Sequence, residues 1–449
     1  MTRAQLLRLP ITRGVAALAV LSAIGLGLIA YRFWAGLGAV TNLSDGYPWG
    51  FWIGMDILVG IALAAGGFVL AGTVHIFGGH RFHALSRPAI LTALLGYLLF
   101  IFALMVDLGR PWNIWKALIN WNHVSPMFEV AWCVMFYTFV LMLEFTPAAL
   151  ERLRLRRVLA LWHEATPFLI VTVLSLFTFA MTDSLGWTIA IAAMLLAWEG
   201  VMRAGIMRRD RQMPVLLIMA GIMLSTLHQS SLGTLFLITD KLGPLWYSPI
   251  LPVQFFLSAV MVAPAMVIIE ASLSARIFRH RPERELLDAL GRAMPYLIVT
   301  FLVVRVGDLL ARGVVLETMR GAWPTAWWWL EMGLLLTALA VFATPEVRRR
   351  PGGLTFAAWA TVLALIAHRT GVAVVGLDVP EYAPYVPHIA EVLITAGILS
   401  LGLLAFRIAV ALLPVYESHE PPASEVPDAG HDFTPSGRTD RVLATANRA

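Results

Sequence analysis

The chain has 449 residues, of which 59% are hydrophobic and 14% charged, with a mean hydropathy of +0.76. Soluble domains carry about 25% charged residues, so a soluble core is excluded and lipid must solvate much of this apolar surface. The net charge of +5 would suit nucleic acid, but the basic residues follow a membrane pattern, so no nucleic-acid partner is expected.

About 20 apolar residues cross a hydrocarbon core of about 30 Å as helix. The apolar runs here do not alternate as barrel strands would. They predict an all-α, polytopic transmembrane bundle of about twelve spans, at 13–34, 49–77, 88–109, 125–146, 163–182, 185–207, 213–238, 249–276, 291–312, 325–344, 353–375 and 388–412. The first span follows Arg3, Arg8 and Arg13 and ends in Tyr31-Arg32-Phe33-Trp34 with no small-residue cleavage site. It is read as a retained helix rather than a signal peptide. The break between the fifth and sixth spans rests on Thr182-Asp183-Ser184 alone. Residues 413–449 are rich in Pro, Ser and acidic residues and are expected to form a disordered tail.

Orientation follows from the basic residues. With the N-terminus inside, most of the 33 Lys+Arg fall on inner segments. Only Arg32, Arg110, Lys116, Lys241, Arg312 and Arg320 mark outer ends. Both termini are therefore expected on the cytoplasmic side. The one cysteine, Cys133, cannot hold an iron–sulfur cluster alone, so any cluster must belong to a partner.

Ionisable groups inside a span are costly and functional by default. At 1.5 Å per residue, Asp56 on the second span lies roughly 10 Å below the outer surface. The third span ends at Asp107 and Arg110, three residues apart and expected on one face before Pro111. The fourth opens at Ser125-Pro126 and carries Glu129 about one turn into the membrane. The seventh carries Ser225, His228 and Ser231 on one face, with His228 about 15 Å from the outer end. Structural ion pairs would explain any one of these residues, since buried charges pair. Their collection in the outer half favours a site.

A second outer group comprises Arg305 and Asp308 on the ninth span, Glu331 on the tenth, His368 and Arg369 on the eleventh, and His388 and Glu391 on the twelfth. Arg305 and Asp308, three apart, read as a structural pair before a site. In the inner half, Glu144, His163, Glu164, Glu199 and Glu270 would form a proton path or, on the stronger reading, pair with the arginine-rich loops. Tryptophans at span ends, such as Trp49, Trp112, Trp187, Trp246 and Trp327 to Trp329, read as interfacial belts. His75, His163, His228 and His368 form no pairs of equal depth, so no haem is expected, and no metal-ligand cluster is present in the sequence.

Several segments together carry a family resemblance. They are Gly36–Gly50 (GLGAVTNLSDGYPWG), Asp107–Arg110 (DLGR), Phe128-Glu129, Leu143–Pro147 (LEFTP), His228–Gly233 (HQSSLG) and Arg305–Asp308 (RVGD). In this order the chain resembles the NrfD-like family of quinone-linked membrane subunits, which includes those of polysulfide reductase and hydrogenase-2. The resemblance implies a subunit of the bacterial inner membrane that holds no redox cofactor of its own. It would exchange electrons between a ferredoxin-like iron–sulfur subunit, with its catalytic oxidoreductase partner, and menaquinone or ubiquinone. His228 and Asp107 would then bind the quinone or carry its protons, with Glu129, Asp56 and Ser231 as neighbours and Arg110 orienting Asp107.

The resemblance also divides the chain into a first bundle over about 49–238, a second over about 249–375, and an extra hairpin at 162–207 inserted in the first. Coupling to proton translocation would rest on the inner carboxylates. The rival classes are a secondary transporter, for which about twelve spans are suitable but no repeated halves are visible, and a membrane anchor with structural charges only.

Overall fold

The computed structural model describes residues 12–64, 66–75, 85–204, 215–278, 284–350, 352–382, 384–413 and 415. The expected tail therefore lies outside the described residues apart from Leu413 and Val415, as does the side chain of His75.

Each of the twelve expected spans corresponds to a helix. They are α1 (Arg13–Ala35), α2 (a π-helical opening Ile53–Val59, then Gly60–Ala64 and Gly66–His75), α3 (Ser86–Asp107), α4 (Pro126–Arg152), α5 (Arg156–Thr182), α6 (Leu185–Arg203), α7 (Val215–Leu235), α8 (Leu251–Phe278), α9 (Arg284–Ala311), α10 (Trp323–Ala343), α11 (Gly353–Thr370, with a π-helical extension Gly371–Val375) and α12 (Ile389–Leu412). Ten of them are long and apolar enough to cross a membrane, and α6 carries a shorter apolar stretch, Leu185–Val201. The chain is a multi-pass helical membrane protein.

Local chemistry sets the helix ends. Thr12 caps α1 by accepting from the Val15 amide at 3.3 Å. Pro126 sits in the first turn of α4, where no intrahelical donor is lost. The α5–α6 break is real: Asp183 takes a left-handed conformation at φ 48°, which an Asp tolerates better than most residues. His388 and Glu391 form a capping box that starts α12. Pro147, Pro167, Pro264 and Pro295 lie inside helices, as spans permit when neighbouring helices supply the lost packing.

Packing arranges these helices in two rings. In the first, α2 packs on α3, α3 on α4, α4 on α7, and α7 on α2. In the second, α8, α9, α10 and α11 close in the same way. Helix α8 also packs on α7 and α2, which joins the rings through one continuous apolar core. The α5–α6 hairpin leans on the outside of the first ring, with α5 against α4 and α7.

Helices α1 and α12 pair beside α3, over a separate apolar cluster that includes Ile29, Trp52, Val106 and Ile394. Their close approach needs glycine. A Cβ on Gly25 would come within 2.7 Å of the Gly397 Cα, and one on Gly397 within 2.6 Å of the Gly25 Cα.

Trp246 departs from the belt reading. It is 1% exposed, and Gly371 and Gly376 press on it so closely that a Cβ on Gly371 would come within 2.1 Å of its ring. Trp112 and Trp187 do stand exposed, as belt residues should.

Candidate functional site

The polar residues of the membrane interior fall into three groups, and these are not the two read along the sequence. The first lies inside the α2–α3–α4–α7 ring. His228 of α7 is wholly buried, and its Nδ1 lies 2.9 Å from the hydroxyl of Tyr97 on α3. Tyr97 packs edge-on against Tyr137 of α4, with ring centroids 4.6 Å apart. Phe100 closes the other side of the imidazole at 5.9 Å. Ser225, one turn before His228, is buried beside both phenols. The Nε2 of His228, the Tyr137 hydroxyl and the Ser225 hydroxyl are buried without hydrogen-bond partners. Such atoms are rare and call for a ligand or water.

Two further residues bracket this group along α4. Glu129, in the first turn, lies within electrostatic reach of buried Cys133. Glu144, toward the other end, lies within reach of Tyr137, and a Cβ on Gly221 of α7 would come within 3.3 Å of its Oε1. Ser231 faces the same ring, but its hydroxyl is spent on the Leu227 carbonyl at 2.7 Å.

The second group lies at the outer end, among α1, α2, α3 and α12. Asp56 accepts from the Thr395 hydroxyl at 2.9 Å. Asp107 lies within electrostatic reach of Asp56, Arg32 and Glu391. Glu391 is 1% exposed and accepts from the backbone amides of Asn42 at 3.1 Å and His388 at 3.0 Å. It also accepts from the Tyr385 hydroxyl, which in turn accepts from the Phe51 amide at 2.9 Å. Burial pushes the Tyr385 phenol up and the Glu391 carboxylate adds to the shift, so Tyr385 stays protonated and remains a donor.

The expected pairing of Asp107 with Arg110 is not made. Helix α3 ends at Asp107, and Leu108 turns to ψ 126°, so the three-residue spacing no longer puts both on one helical face. Arg110 is exposed, and Arg32 of α1 takes the position near Asp107, bonding the Leu108 carbonyl.

The third group fills the second ring. Arg305, Glu331, His368 and Arg369 are all 1% exposed or less. Glu331 Oε1 lies 3.1 Å from His368 Nδ1 and 3.7 Å from Arg305 Nε. Arg305 also donates to Gln254 at 3.3 Å. Arg369 bonds the Phe255 carbonyl at 2.8 Å and the Ser258 hydroxyl at 3.0 Å, and its guanidinium lies over the Phe255 ring. The expected Arg305–Asp308 pair is replaced. Asp308 is held by Arg312, one turn on, at 2.9 Å and by Ser248 at 2.9 Å, while Arg305 turns to α10. A guanidinium in the ring interior meets a carboxylate on a neighbouring helix more readily than one on its own.

Sequence reasoning thus found His228, Asp56, Asp107 and Glu129 but missed Tyr97, Tyr137, Arg32, Tyr385 and Thr395. Tyr97 carried a signal. A tyrosine in mid-span, away from the interfacial belt where tyrosines gather, needs a polar partner for its hydroxyl. In the inner half, Glu199 and Glu164 pair with Arg203 at 2.8 Å and 3.0 Å, as the loop-pairing reading expects. Glu270 instead accepts from Thr92 at 2.9 Å.

A family profile described as polysulphide reductase, NrfD, matches residues 39–223 and 150–381. A protein of Nitratidesulfovibrio vulgaris is 34% identical over 89% of this chain and 93% of its own length. The probable Ni/Fe-hydrogenase 2 b-type cytochrome subunit of Escherichia coli is 30% identical over 86% of this chain and 88% of its own length. The integral membrane subunit of menaquinone reductase from Nitratidesulfovibrio vulgaris is 25% identical over 87% and 89%.

The second of these names overturns the expectation of a chain without haem, because a b-type cytochrome carries one. Matching histidine depths along a sequence was a poor test, since packing decides which helices face each other. Among the described residues, Nε2 of His228 and Nε2 of His368 are buried nitrogens without partners that suit an iron ligand. They stand on α7 and α11, in different rings, and neither ring contacts a second described histidine. The described residues therefore do not by themselves form a paired imidazole cradle. Helical architecture, motif positions and sequence similarity along nearly the whole chain agree on one assignment: the protein belongs to the polysulphide reductase NrfD family.

Proposed function

We propose that the chain is the quinone-reactive membrane subunit of a multi-subunit oxidoreductase. It would pass electrons between a partner iron–sulfur protein and the quinone pool of a bacterial inner membrane, with both termini in the cytoplasm. The observation that carries this reading is the His228–Tyr97 pair. With Tyr97 donating to Nδ1, Nε2 carries the imidazole proton and is a donor for a quinone carbonyl oxygen. Tyr137 and Ser225 supply two more hydroxyls without partners in the same ring. Reducing a quinone to a quinol takes up two electrons and two protons. The electrons come from the partner. The carboxylates Asp56, Asp107 and Glu391, gathered at the outer end, suit proton exchange with that side, and Glu129 lies between that end and Cys133. The names of relatives, as membrane subunits of menaquinone, dimethyl sulfoxide and selenate reductases, support a catalytic partner.

In the assembled complex, His228→Ala and Asp107→Asn should each lower quinone turnover, His228→Ala by about 100-fold, the usual scale for losing a positioned acid–base group. Wild-type turnover in both variants would sink the quinone-site reading. Substrate-dependent uptake by the chain alone would instead mark a transporter.

Glu144 and Glu270 favour a second element of the same reading, proton movement toward the inner side. Neither pairs with an arginine among the described residues, unlike Glu164 and Glu199. Vesicles holding the complex should then show a pH change beyond the scalar uptake of quinone reduction, and Glu144→Gln should abolish the excess.

A further inference from the structure

The inner end of the second ring carries a feature that quinone chemistry does not use. Helix α8 ends, α9 begins, and the short helix Pro345–Arg348 turns the chain from α10 into α11. These ends enclose a cleft of about 650 Å³. Arg276 and Arg284 stand on one wall, and Arg348, Arg349 and Arg350 on the other, against only two carboxylates, Glu285 and Asp288. Asp288 is already shared: it accepts from Arg292 at 2.5 Å and Arg348 at 2.9 Å, and lies 3.9 Å from Arg349. Arg276, Arg284 and Arg350 make no ion pair among the described residues. The cleft therefore holds positive charge that the protein does not neutralise.

The site is built rather than a loose surface patch. Arg348 is 6% exposed and fixed from two sides, by Asp288 and by the Phe342 carbonyl at 2.7 Å. The turn that follows is tight: Gly352 sits at φ +83°, and a Cβ on Gly353 would come within 2.1 Å of the Val347 carbonyl oxygen. That turn holds Arg349 and Arg350 at the rim of the cleft. The N-terminal ends of α9 and α11 lie at the same place and add partial positive charge.

The surroundings select among anions. The wall between the arginines includes Ala275, Leu287 and Leu354. Ile277 and Phe356, beside the cleft, are 59% and 57% exposed. Charge above and exposed hydrocarbon below fit a headgroup with its acyl chains rather than a soluble phosphate. Basic pockets between helix ends on the cytoplasmic side attract such lipids.

We propose that this cleft binds an anionic phospholipid of the inner leaflet, a two-phosphate lipid of the cardiolipin type, with one phosphate on each arginine wall. Full-length protein, delipidated in detergent, tests this by thermal unfolding and native mass spectrometry after adding cardiolipin, phosphatidylcholine or inorganic pyrophosphate. Cardiolipin should raise the unfolding temperature by several degrees and stay bound in the spectrometer, while the other two do neither. Arg349→Gln with Arg350→Gln should weaken cardiolipin retention about 30-fold, from about 1 kcal/mol per surface charge, with the lipid-free unfolding temperature unchanged. Arg276→Gln, on the opposite wall, gives an independent variant should the double change impair folding. Equal stabilisation by pyrophosphate would make this a soluble-anion site and overturn the lipid proposal, as would equal stabilisation by phosphatidylcholine. Undiminished retention in both variants would overturn the location. None of these readouts depends on quinone turnover.

Discussion

At the scale of single residues, the interior of the first ring depends on one hydrogen bond. The Tyr97 hydroxyl is the partner of His228 Nδ1, and the imidazole has no other hydrogen-bond partner. Tyr97→Phe keeps the ring packing against Tyr137 and Phe100 and removes only that hydroxyl. A buried nitrogen left without a partner costs about 1–3 kcal/mol. The variant should therefore unfold at a lower temperature. Its quinone turnover should also fall with an altered pH profile, because the imidazole tautomer is no longer fixed. Unchanged turnover and pH profile, read on purified complex, would make Tyr97 a packing residue. Residue type and depth made His228 legible in the sequence. Its partner was not legible, because Tyr97 lies far away along the chain and only the α3–α7 arrangement brings the two together.

At the scale of elements, the α1–α12 pair positions the outer carboxylates. Arg32 comes from α1, Thr395 and Glu391 from α12, and the glycines at the crossing set their distance from Asp56 and Asp107. Gly397→Leu should force the two helices apart at a cost of about 1–3 kcal/mol, the usual range for overpacking. Thermal unfolding in detergent should register it. Gly27→Leu, on α1 where a Cβ meets nothing within 4 Å, should be neutral and serves as the control. Equal effects of both would show that the close crossing does not hold the pair. Apolar run lengths and breakers made both helices visible in the sequence, and Asp183 marked even the short α5–α6 break. The pairing of the first helix with the last was not visible, since hydrophobic periodicity says which face is apolar and not which partner covers it.

At the scale of the whole molecule, the second ring is held by charges that have no water to fall back on. Arg305 and Arg369 share the interior with one carboxylate, Glu331. Arg305→Met alone should strand that carboxylate beside His368 and destabilise the protein by about 3–5 kcal/mol. Arg305→Met combined with Glu331→Met should recover most of the loss, because a buried pair replaced by apolar side chains is often neutral. Unfolding temperatures of the three proteins decide this. A double variant as unstable as the single one would mean that the network reaches past the pair, through Gln254 and Ser248 to Asp308.

The sequence alone determined that the chain crosses the membrane many times, where each helix begins and ends, and how deep each ionisable residue lies. These properties follow from run length, breakers and charge, all of which act locally along the chain. The tertiary structure decided which of those residues meet. It grouped Asp56 and Asp107 with Arg32 and Glu391, left His228 with Tyr97 and Tyr137, and turned Arg305 from Asp308 to Glu331. The reason is physical: depth is a coordinate along one helix, whereas contact depends on which helices are neighbours. That choice rests on close packing between distant segments, such as Gly25 against Gly397.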